Sequence, residues 1–185
     1  YIYKLIDLDA LGLDAGALPE ILVAAERFGF AGLNITHPCK HAVVPLLDEL
    51  SGDAEAIGAV NTVVMKDGRR VGHNTDWWGF AESFRRELPG VRRDRVVQLG
   101  AGGAGAAVAH ALLTLGAGEL VIIDTTKARG RILVEALRRR FGAGRAIASP
   151  SLSEAVAAAD GIVNATPVGM AKYPGTPVPI EMLRP

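Results

Sequence analysis

Residues 96–105 read VVQLGAGGAG, a strand-like run that leads directly into a glycine-rich turn. The turn has the G-x-G-x-x-G spacing, an apolar helical pattern begins inside it, and Asp124 ends the next strand-like run 24 residues after Gly100. Glycine permits a tight turn there and lets backbone N–H groups approach a pyrophosphate at the positive end of a helix. The pattern therefore predicts a dinucleotide-binding unit, with a purely structural turn as the alternative.

The sequence after residue 95 continues as a regular alternation of strand and helix patterns. The predicted strands cover 96–99, 120–123, 146–148 and 161–165, and the helices 104–115, 126–141 and 152–159. Ser151 and Glu154 have the spacing of a capping box at the start of the last helix. Such alternation predicts a parallel, doubly wound sheet of the Rossmann-like type.

The sequence before residue 95 is less regular and predicts a smaller α/β domain. The predicted helices cover 18–28, 38–50 and 76–88, the predicted strands 31–36, 59–65 and 70–74, and the chain begins in a strand-like run. The Asp67-Gly68 pair between the last two strands favours a hairpin. Pro38 suits the first turn of its helix, and Pro45 is a possible break in it.

A polar segment at 88–94, LPGVRRD, contains both helix breakers and marks the predicted domain junction. We expect a substrate-binding domain over 1–92 and a dinucleotide-binding domain over 93–185. The chain begins with Tyr1 and stops at Pro185 without a clear terminal element. We therefore expect both domains to be incomplete, the first at its N-terminus and the second at its C-terminus.

Composition limits the classes of function. The 20 basic and 20 acidic residues give no net charge, so the basic footprint of a nucleic-acid-binding protein is missing. Residues 96–118 carry no charge, but their six glycines fit a buried strand, turn and helix better than a membrane span, and no signal peptide is recognised. The single cysteine, Cys39, favours a reducing compartment, and we expect a cytoplasmic protein.

Five motifs occur in an order that resembles one enzyme family. They are GLNITHPCK at 32–40, IGAVNT at 57–62, GHNTDWWGF at 72–80, GAGGAG at 100–105 and NATPVGM at 164–170. Together they resemble the shikimate and quinate dehydrogenases, which interconvert a ring alcohol and a ketone with a nicotinamide cofactor. The resemblance implies a role in the chorismate pathway of aromatic amino acid biosynthesis.

The resemblance implies that Lys40 and Asp76 form the catalytic pair and also contact the substrate, while Thr36 and Asn61 hold its hydroxyls or carboxylate. The chemistry agrees, because loss of a hydride from an alcohol requires a base for the hydroxyl proton, and the reverse reaction requires an acid. Without the resemblance, Lys40 would be interpreted as a surface residue and Asp76 as a helix cap.

The resemblance places the cofactor on the glycine turn and on the loop after the fourth strand. The implied contacts are Gly100, Ala101, Gly102, Gly103, Ala104, Gly105, Asp124, Thr166, Val168 and Met170. A carboxylate at Asp124 can accept hydrogen bonds from ribose hydroxyls and repels a 2′-phosphate, which favours NAD over NADP. NADP-dependent members usually have Asn-Arg-Thr where this chain has Asp124-Thr125-Thr126. Three basic residues follow closely in sequence: Lys127, Arg129 and Arg131. They could hold a phosphate, or they could form a solvated face of the helix.

Three further predictions concern neighbouring side chains. His37 and His41 have helical spacing, but Pro38 between them and the lack of a third ligand argue against a metal site. Cys39, at the start of the predicted helix, is a candidate for a lowered pKa. The adjacent Trp77 and Trp78 are expected to pack with at least one of them partly exposed.

The expected function is hydride transfer between a nicotinamide cofactor and a ring hydroxyl of shikimate or quinate. The expected partner is this small cyclic polyol carboxylate, with no nucleic acid and no membrane, and a homodimer is one possible assembly. Two alternatives remain open: a dehydrogenase of an amino-substituted analogue, and a non-catalytic regulator that uses the same fold to sense a ligand.

Overall fold

The computed structural model describes residues 2–183 and consists of two compact units. The units are Tyr1–Asn74 and Thr75–Pro185. The break lies directly before the helix that the sequence predicted at 76–88, rather than at the predicted junction between residues 92 and 93. The assignment of substrate binding to the first part of the chain and dinucleotide binding to the second stays a prediction.

The first unit is a small mixed sheet with short helices around it. Its elements are α1 (Leu8–Leu11), a 3₁₀ turn (Ala15–Ala17), α2 (Leu18–Arg27), β1 (Gly32–Asn34), a 3₁₀ turn (Val44–Leu46), β2 (Glu49–Leu50), α3 (Gly52–Ile57), β3 (Thr62–Lys66) and β4 (Arg69–His73). The strand order is β1-β3-β4-β2, with β2 parallel to β4 and the other pairs antiparallel. The buried side chains of Leu22, Val43, Val60 and Val63 form the core.

The hairpin and helix α2 confirm the sequence predictions for those regions. Lys66 pairs with Arg69, and the two residues between them, Asp67 and Gly68, have positive φ values of 52° and 72°. This conformation is the type I′ turn that suits a two-residue hairpin. On α2 the side chains of Leu18, Leu22 and Ala25 are buried, while Phe28, which follows the helix, is 80% exposed.

Two predictions for the first unit are wrong. Residues 2–7 form neither helix nor strand, and residues 37–50 form turns, a single 3₁₀ turn and β2 instead of a helix. The carbonyl of Lys40, which a helix would pair with the Val44 amide, accepts from the Val60 amide at 2.9 Å. Pro45 lacks an N–H donor and would clash with a helical carbonyl four residues earlier, so the apolar spacing here does not form a helix.

The second unit is a parallel sheet with helices between its strands, as the sequence predicted. Its elements are α4 (Asp76–Glu87), β5 (Arg95–Leu99), α5 (Gly103–Thr114), β6 (Glu119–Ile123), α6 (Lys127–Phe141), β7 (Ala146–Ala148), α7 (Leu152–Ala157), β8 (Gly161–Asn164) and a 3₁₀ turn (Ile180–Met182). The strand order is β7-β6-β5-β8, and every pair is parallel. The Ser151 hydroxyl accepts from the Glu154 amide, which confirms the predicted cap of α7. Within residues 2–183, no helix combines the length and apolarity needed to cross a bilayer.

Helix α4 packs against α5, which explains why it belongs to the second unit. The ring of Trp77 meets the ring of buried His110 edge-on at a centroid distance of 5.4 Å, and His110 meets Phe141 in the same way. The neighbouring Trp78 is 60% exposed, as predicted for one of the two tryptophans. The aromatic contacts extend the core of the second unit beneath α4.

An ion pair between α2 and β4 makes the stability of the first unit depend on pH. Arg70 donates two hydrogen bonds to Glu26, from Nε to Oε1 at 2.6 Å and from Nη2 to Oε2 at 2.8 Å. These hydrogen bonds, chiefly, and the positive charge of Arg70 hold the pKa of Glu26 below its usual range. A carboxylate whose pKa is lower in the folded state stabilises that state above its unfolded pKa, and the contribution disappears as the pH falls through the folded pKa.

We therefore expect Glu26→Gln to lower the melting temperature at neutral pH and to approach the wild type as the pH falls below about 4.3, the ordinary glutamate value. Thermal unfolding of both proteins over a pH series measures this. Glu135→Gln, at an exposed position of α6, serves as the control. A difference between the wild type and Glu26→Gln that stays constant with pH would contradict the assignment.

Candidate functional site

The three glycines of the G-x-G-x-x-G motif, Gly100, Gly102 and Gly105, have different steric surroundings. Gly100 has a φ of +95°, and a Cβ there would lie 2.8 Å from the carbonyl oxygen of Ala165. A Cβ on Gly105 would lie 2.3 Å from the carbonyl oxygen of Gly100. By contrast, a Cβ on Gly102 would have no protein atom within 4 Å. The first and third glycines are thus needed for the fold of the turn, while the second borders open space.

The N-terminus of α5 opens onto this space. Gly102 is the N-cap residue, no side chain among residues 2–183 caps the helix, and the first helical hydrogen bond runs from the Ala106 amide to the Gly102 carbonyl. The amides of Gly103 and Ala104 therefore belong to the helical turn whose N–H groups have no helical acceptor. A helix N-terminus of this kind favours an anion, and a pyrophosphate fits the open space beside Gly102.

Asp124, directly after β6, braces the turn. Its Oδ2 accepts from the Ala101 amide at 2.7 Å, while its Oδ1 accepts from the Thr126 amide at 2.7 Å and from Nη2 of Arg129 at 3.0 Å. Burial alone would raise the pKa of Asp124, but the two amides and Arg129 together outweigh burial and hold the pKa below its usual range. The side chain is only 4% exposed. Oδ1 already accepts from the Thr126 amide and from Arg129, whereas Oδ2 accepts from the Ala101 amide, so Oδ2 has the greater capacity for a further donor.

The loop after β8 lies against the same turn. Thr166 donates from its amide and its hydroxyl to Oδ1 of Asn164, at 3.0 and 2.6 Å, and the side-chain amide of Asn164 donates to the Val168 carbonyl. Met170 lies further along this loop and is 58% exposed. The Gly100 amide donates to the carbonyl of Ile123, the last residue of β6, and Gly100 lies against Ala165, which follows β8. The carboxyl ends of β5, β6 and β8 therefore meet around Gly100. Because β5 has β6 on one side and β8 on the other, this is the switch point where open parallel sheets bind ligands.

Backbone hydrogen bonds in the first unit bring three of the predicted substrate residues together. The Ile35 amide donates to the Asn61 carbonyl at 2.7 Å, next to Thr36, and the Val60 amide donates to the Lys40 carbonyl at 2.9 Å. Thr36 is exposed, while Lys40 and Asn61 are half-buried. These pairings place the segments that carry Thr36 and Lys40 beside Asn61.

The environment of Cys39 differs from the sequence prediction. The thiol is buried and does not lie at a helix start, and burial, together with the charge of Asp14, raises its pKa instead of lowering it. Nearby, Nδ1 of His41 lies 2.9 Å from the Gly58 carbonyl oxygen. Cys39 therefore has the environment of a core residue.

Asp76 is the first residue of α4, and Thr75 is the N-cap. Lys40 belongs to the first unit and Asp76 to the second. The pairing of Lys40 with Asp76 stays a prediction.

Two buried polar residues were not assigned a role from the sequence. Asn74 donates from its side chain to the Ala59 carbonyl at 2.9 Å, which ties the end of β4 to the segment before Asn61. Gln98 is the residue before the last of β5, is fully buried, and donates hydrogen bonds to the glycine turn. The sequence feature that could have drawn attention to Gln98 is an amide side chain within the otherwise apolar run at 96–99.

Comparison with known proteins shows similarity to one enzyme family. Residues 1–63 match the family described as Shikimate dehydrogenase substrate binding domain. Over the whole chain, the sequence is 59% identical to a Streptomyces avermitilis protein named Shikimate dehydrogenase (NADP(+)), 64% of which it covers. Over its whole length the chain is similar to members of the shikimate and quinate dehydrogenase family. It spans less than two thirds of the length of the curated relatives compared with it.

Members of the family differ in their named cofactor. The chain is 48% identical to a Quinate/shikimate dehydrogenase (NAD(+)) from Corynebacterium efficiens, with all of this chain and 66% of that protein covered. The crystal structure titled quinate dehydrogenase from Corynebacterium glutamicum in complex with NAD matches 93% of this chain and 61% of that one, at 45% identity and a TM-score of 0.80. The similarity therefore extends to members named for either cofactor.

Proposed function

We propose that this protein is a dehydrogenase that transfers a hydride between a nicotinamide cofactor and a ring hydroxyl of shikimate or quinate. The observation that carries the proposal is the turn at residues 100–105. Its first and third glycines are sterically required by the fold, and its second borders open space at an uncapped helix N-terminus. This division of roles is the one that a dinucleotide pyrophosphate requires.

Residues 100–105 and Asp124 would hold the nicotinamide cofactor, which would supply or accept the hydride. The other site residues of this chain handle the substrate and its proton. Thr36 and Asn61 hold the ring hydroxyls or carboxylate. Lys40 in its neutral form takes the hydroxyl proton during oxidation, and in its charged form returns the proton during reduction. Asp76 completes the pair and orients the reacting hydroxyl. Thr166, Val168 and Met170 form the side of the cofactor site that follows β8.

We further propose that NAD is preferred to NADP. Asp124 is ionised at neutral pH and nearly buried, so a 2′-phosphate beside it would meet a negative charge that solvent screens poorly. Oδ2 can accept one ribose hydroxyl in addition to the Ala101 amide. Arg129 is the group that would favour NADP, but its guanidinium is held by the same carboxylate.

Replacement of Gly102 by alanine tests the cofactor site directly. Because an added Cβ meets no protein atom and the φ of −79° suits alanine, we expect Gly102→Ala to fold, with a small decrease in melting temperature because alanine is a poorer N-cap than glycine. The same Cβ would enter the space beside the helix N-terminus. We therefore expect the Kd for NAD, measured by isothermal titration calorimetry on the full-length protein, to rise by about tenfold or more, since a loss of 1.4 kcal/mol is tenfold.

The matched control is Gly144→Ala, where an added Cβ also meets no protein atom and the position is remote in sequence from the turn. We expect it to leave both the melting temperature and the Kd unchanged. Equal NAD affinity in Gly102→Ala and the wild type would refute the pyrophosphate site.

We also propose that the partner is the small cyclic polyol carboxylate itself. Homodimer formation and the cytoplasmic location stay predictions. No specific observation favours the amino-substituted analogue or the non-catalytic regulator over the dehydrogenase.

A further inference from the structure

Gln98 places a polar side chain at the centre of an apolar sheet. It lies on β5 between Ile122 of β6 and Val163 of β8, and its side chain is fully buried. Its Nε2 donates to the carbonyl oxygen of Gly100 at 2.9 Å and to that of Gly105 at 2.8 Å. Its Oε1 is also buried and has no hydrogen-bond partner among residues 2–183.

Fold stability alone does not account for an amide at this position. A buried polar atom without a partner destabilises the folded state, whereas leucine or methionine would fill a similar volume without such an atom. The two donor contacts to the turn are therefore the distinctive contribution of the Gln98 side chain. One contact goes to Gly100 and the other to Gly105, the first and third glycines of the motif.

The peptide between Gly100 and Ala101 is held from both sides. Its carbonyl accepts from Gln98, its N–H donates to Oδ2 of Asp124, and the preceding amide, that of Gly100, donates to the Ile123 carbonyl at 2.8 Å. The second bond of Gln98, to Gly105, ties the first turn of α5 to the same side chain. Rotation of the peptide would break at least two of these bonds, so the turn keeps one conformation.

We infer that Gln98 is a positioning residue for the dinucleotide: it holds the glycine turn in its binding conformation before the cofactor arrives. The inference rests on the proposed dinucleotide site. Binding is tighter when the site does not have to be ordered during the binding step. Because the pyrophosphate is common to both cofactors, Gln98 strengthens the binding of NAD and NADP by the same factor and does not select between them.

The test compares equilibrium binding and stability in Gln98→Leu and the wild type. We expect Gln98→Leu to raise the Kd for NAD and for NADP by about tenfold each, corresponding to the loss of one to two hydrogen bonds that order the turn. We expect its melting temperature to stay close to that of the wild type, because removal of the unpaired oxygen offsets the loss of the two donors to the Gly100 and Gly105 carbonyls. Calorimetric titration with each dinucleotide and thermal unfolding measure the two effects on the full-length protein.

A second variant adds a readout that a purely structural role would not change. In Gln98→Glu, an ionised carboxylate would face two carbonyl oxygens, whereas its protonated form can donate to one of them. We expect the NAD affinity of Gln98→Glu to increase as the pH is lowered, relative to the wild type at the same pH. Should Gln98→Leu not fold, Gln98→Met carries the same comparison.

The control is Val121→Ala on β6, a fully buried apolar position. Val121→Ala should lower the melting temperature and leave the Kd values for NAD and NADP nearly unchanged. Gln98→Leu, by contrast, is expected to raise both Kd values. If the wild type binds neither dinucleotide, the proposed function fails, and the role of Gln98 fails with it. If the wild type binds and Gln98→Leu binds equally tightly, only the role of Gln98 is refuted.

Discussion

Replacement of Lys40 by alanine is expected to lower kcat by about 10²-fold to 10⁴-fold with a smaller change in KM, as is usual for the loss of a general acid–base group. The reason is that the hydroxyl proton then has no positioned acceptor in the oxidation and no positioned donor in the reverse reaction. Lys40→Arg should not restore the rate, because a guanidinium stays protonated and cannot act as the base. Steady-state kinetics on the full-length protein measure both parameters.

The control for Lys40 is Lys66→Ala, at an exposed position of the hairpin, which should leave both kcat and KM unchanged. Calorimetric titration with NAD should show that Lys40→Ala still binds the cofactor. A raised KM with near-normal kcat in Lys40→Ala would show that Lys40 only binds substrate. Asp76 or a bound water would then be the proton-transfer group.

The second large effect concerns cofactor preference at Asp124. We expect Asp124→Asn combined with Thr125→Arg to shift the ratio of kcat/KM for NAD to that for NADP by about 10²-fold toward NADP. One change removes the repulsion of the 2′-phosphate, and the other supplies a charged partner, with about tenfold expected from each. Asparagine keeps a side-chain oxygen for the Ala101 amide, so the turn remains braced. Arg129 also loses its ionic partner and becomes available to the phosphate.

Asp124→Ala, compared with Asp124→Asn, tests the hydrogen bond between Asp124 and the Ala101 amide separately from the charge of Asp124. Asp124→Ala removes the brace as well as the charge, so it should weaken the binding of both dinucleotides. If Asp124→Asn with Thr125→Arg leaves the preference unchanged, or if the wild type already prefers NADP, Asp124 does not select the cofactor.

The second unit followed closely from its sequence because its signals are local and agree with one another. The strand pattern before Gly100, the apolar helix after it and the cap at Ser151 each depend on residues close in sequence. The need for glycine in a tight turn was expected from the motif, but the bond from the Ala101 amide to Asp124 was not. That bond joins residues on two different strand ends, and only the tertiary structure places them together.

The first unit shows where sequence patterns are insufficient. The segment at 37–50 has helical apolar spacing, yet the Lys40 carbonyl is used by Val60 across the chain, and Pro45 interrupts the helix. The prediction of a lowered pKa for Cys39 depended on that helix and failed with it. The compact units divide between Asn74 and Thr75, whereas the strong local signal in the sequence is the Leu88-Pro89-Gly90 run. Trp77 packs on His110 and so joins α4 to the second unit, but no local sequence pattern indicates this contact.

Turnover by the full-length protein decides whether the protein is a shikimate or quinate dehydrogenase. The assay combines shikimate or quinate with NAD or NADP and follows reduction of the nicotinamide. We predict turnover with at least one of the two substrates and a higher kcat/KM with NAD than with NADP. Binding of a dinucleotide without turnover of either substrate under any of the four combinations would contradict the assignment as a shikimate or quinate dehydrogenase.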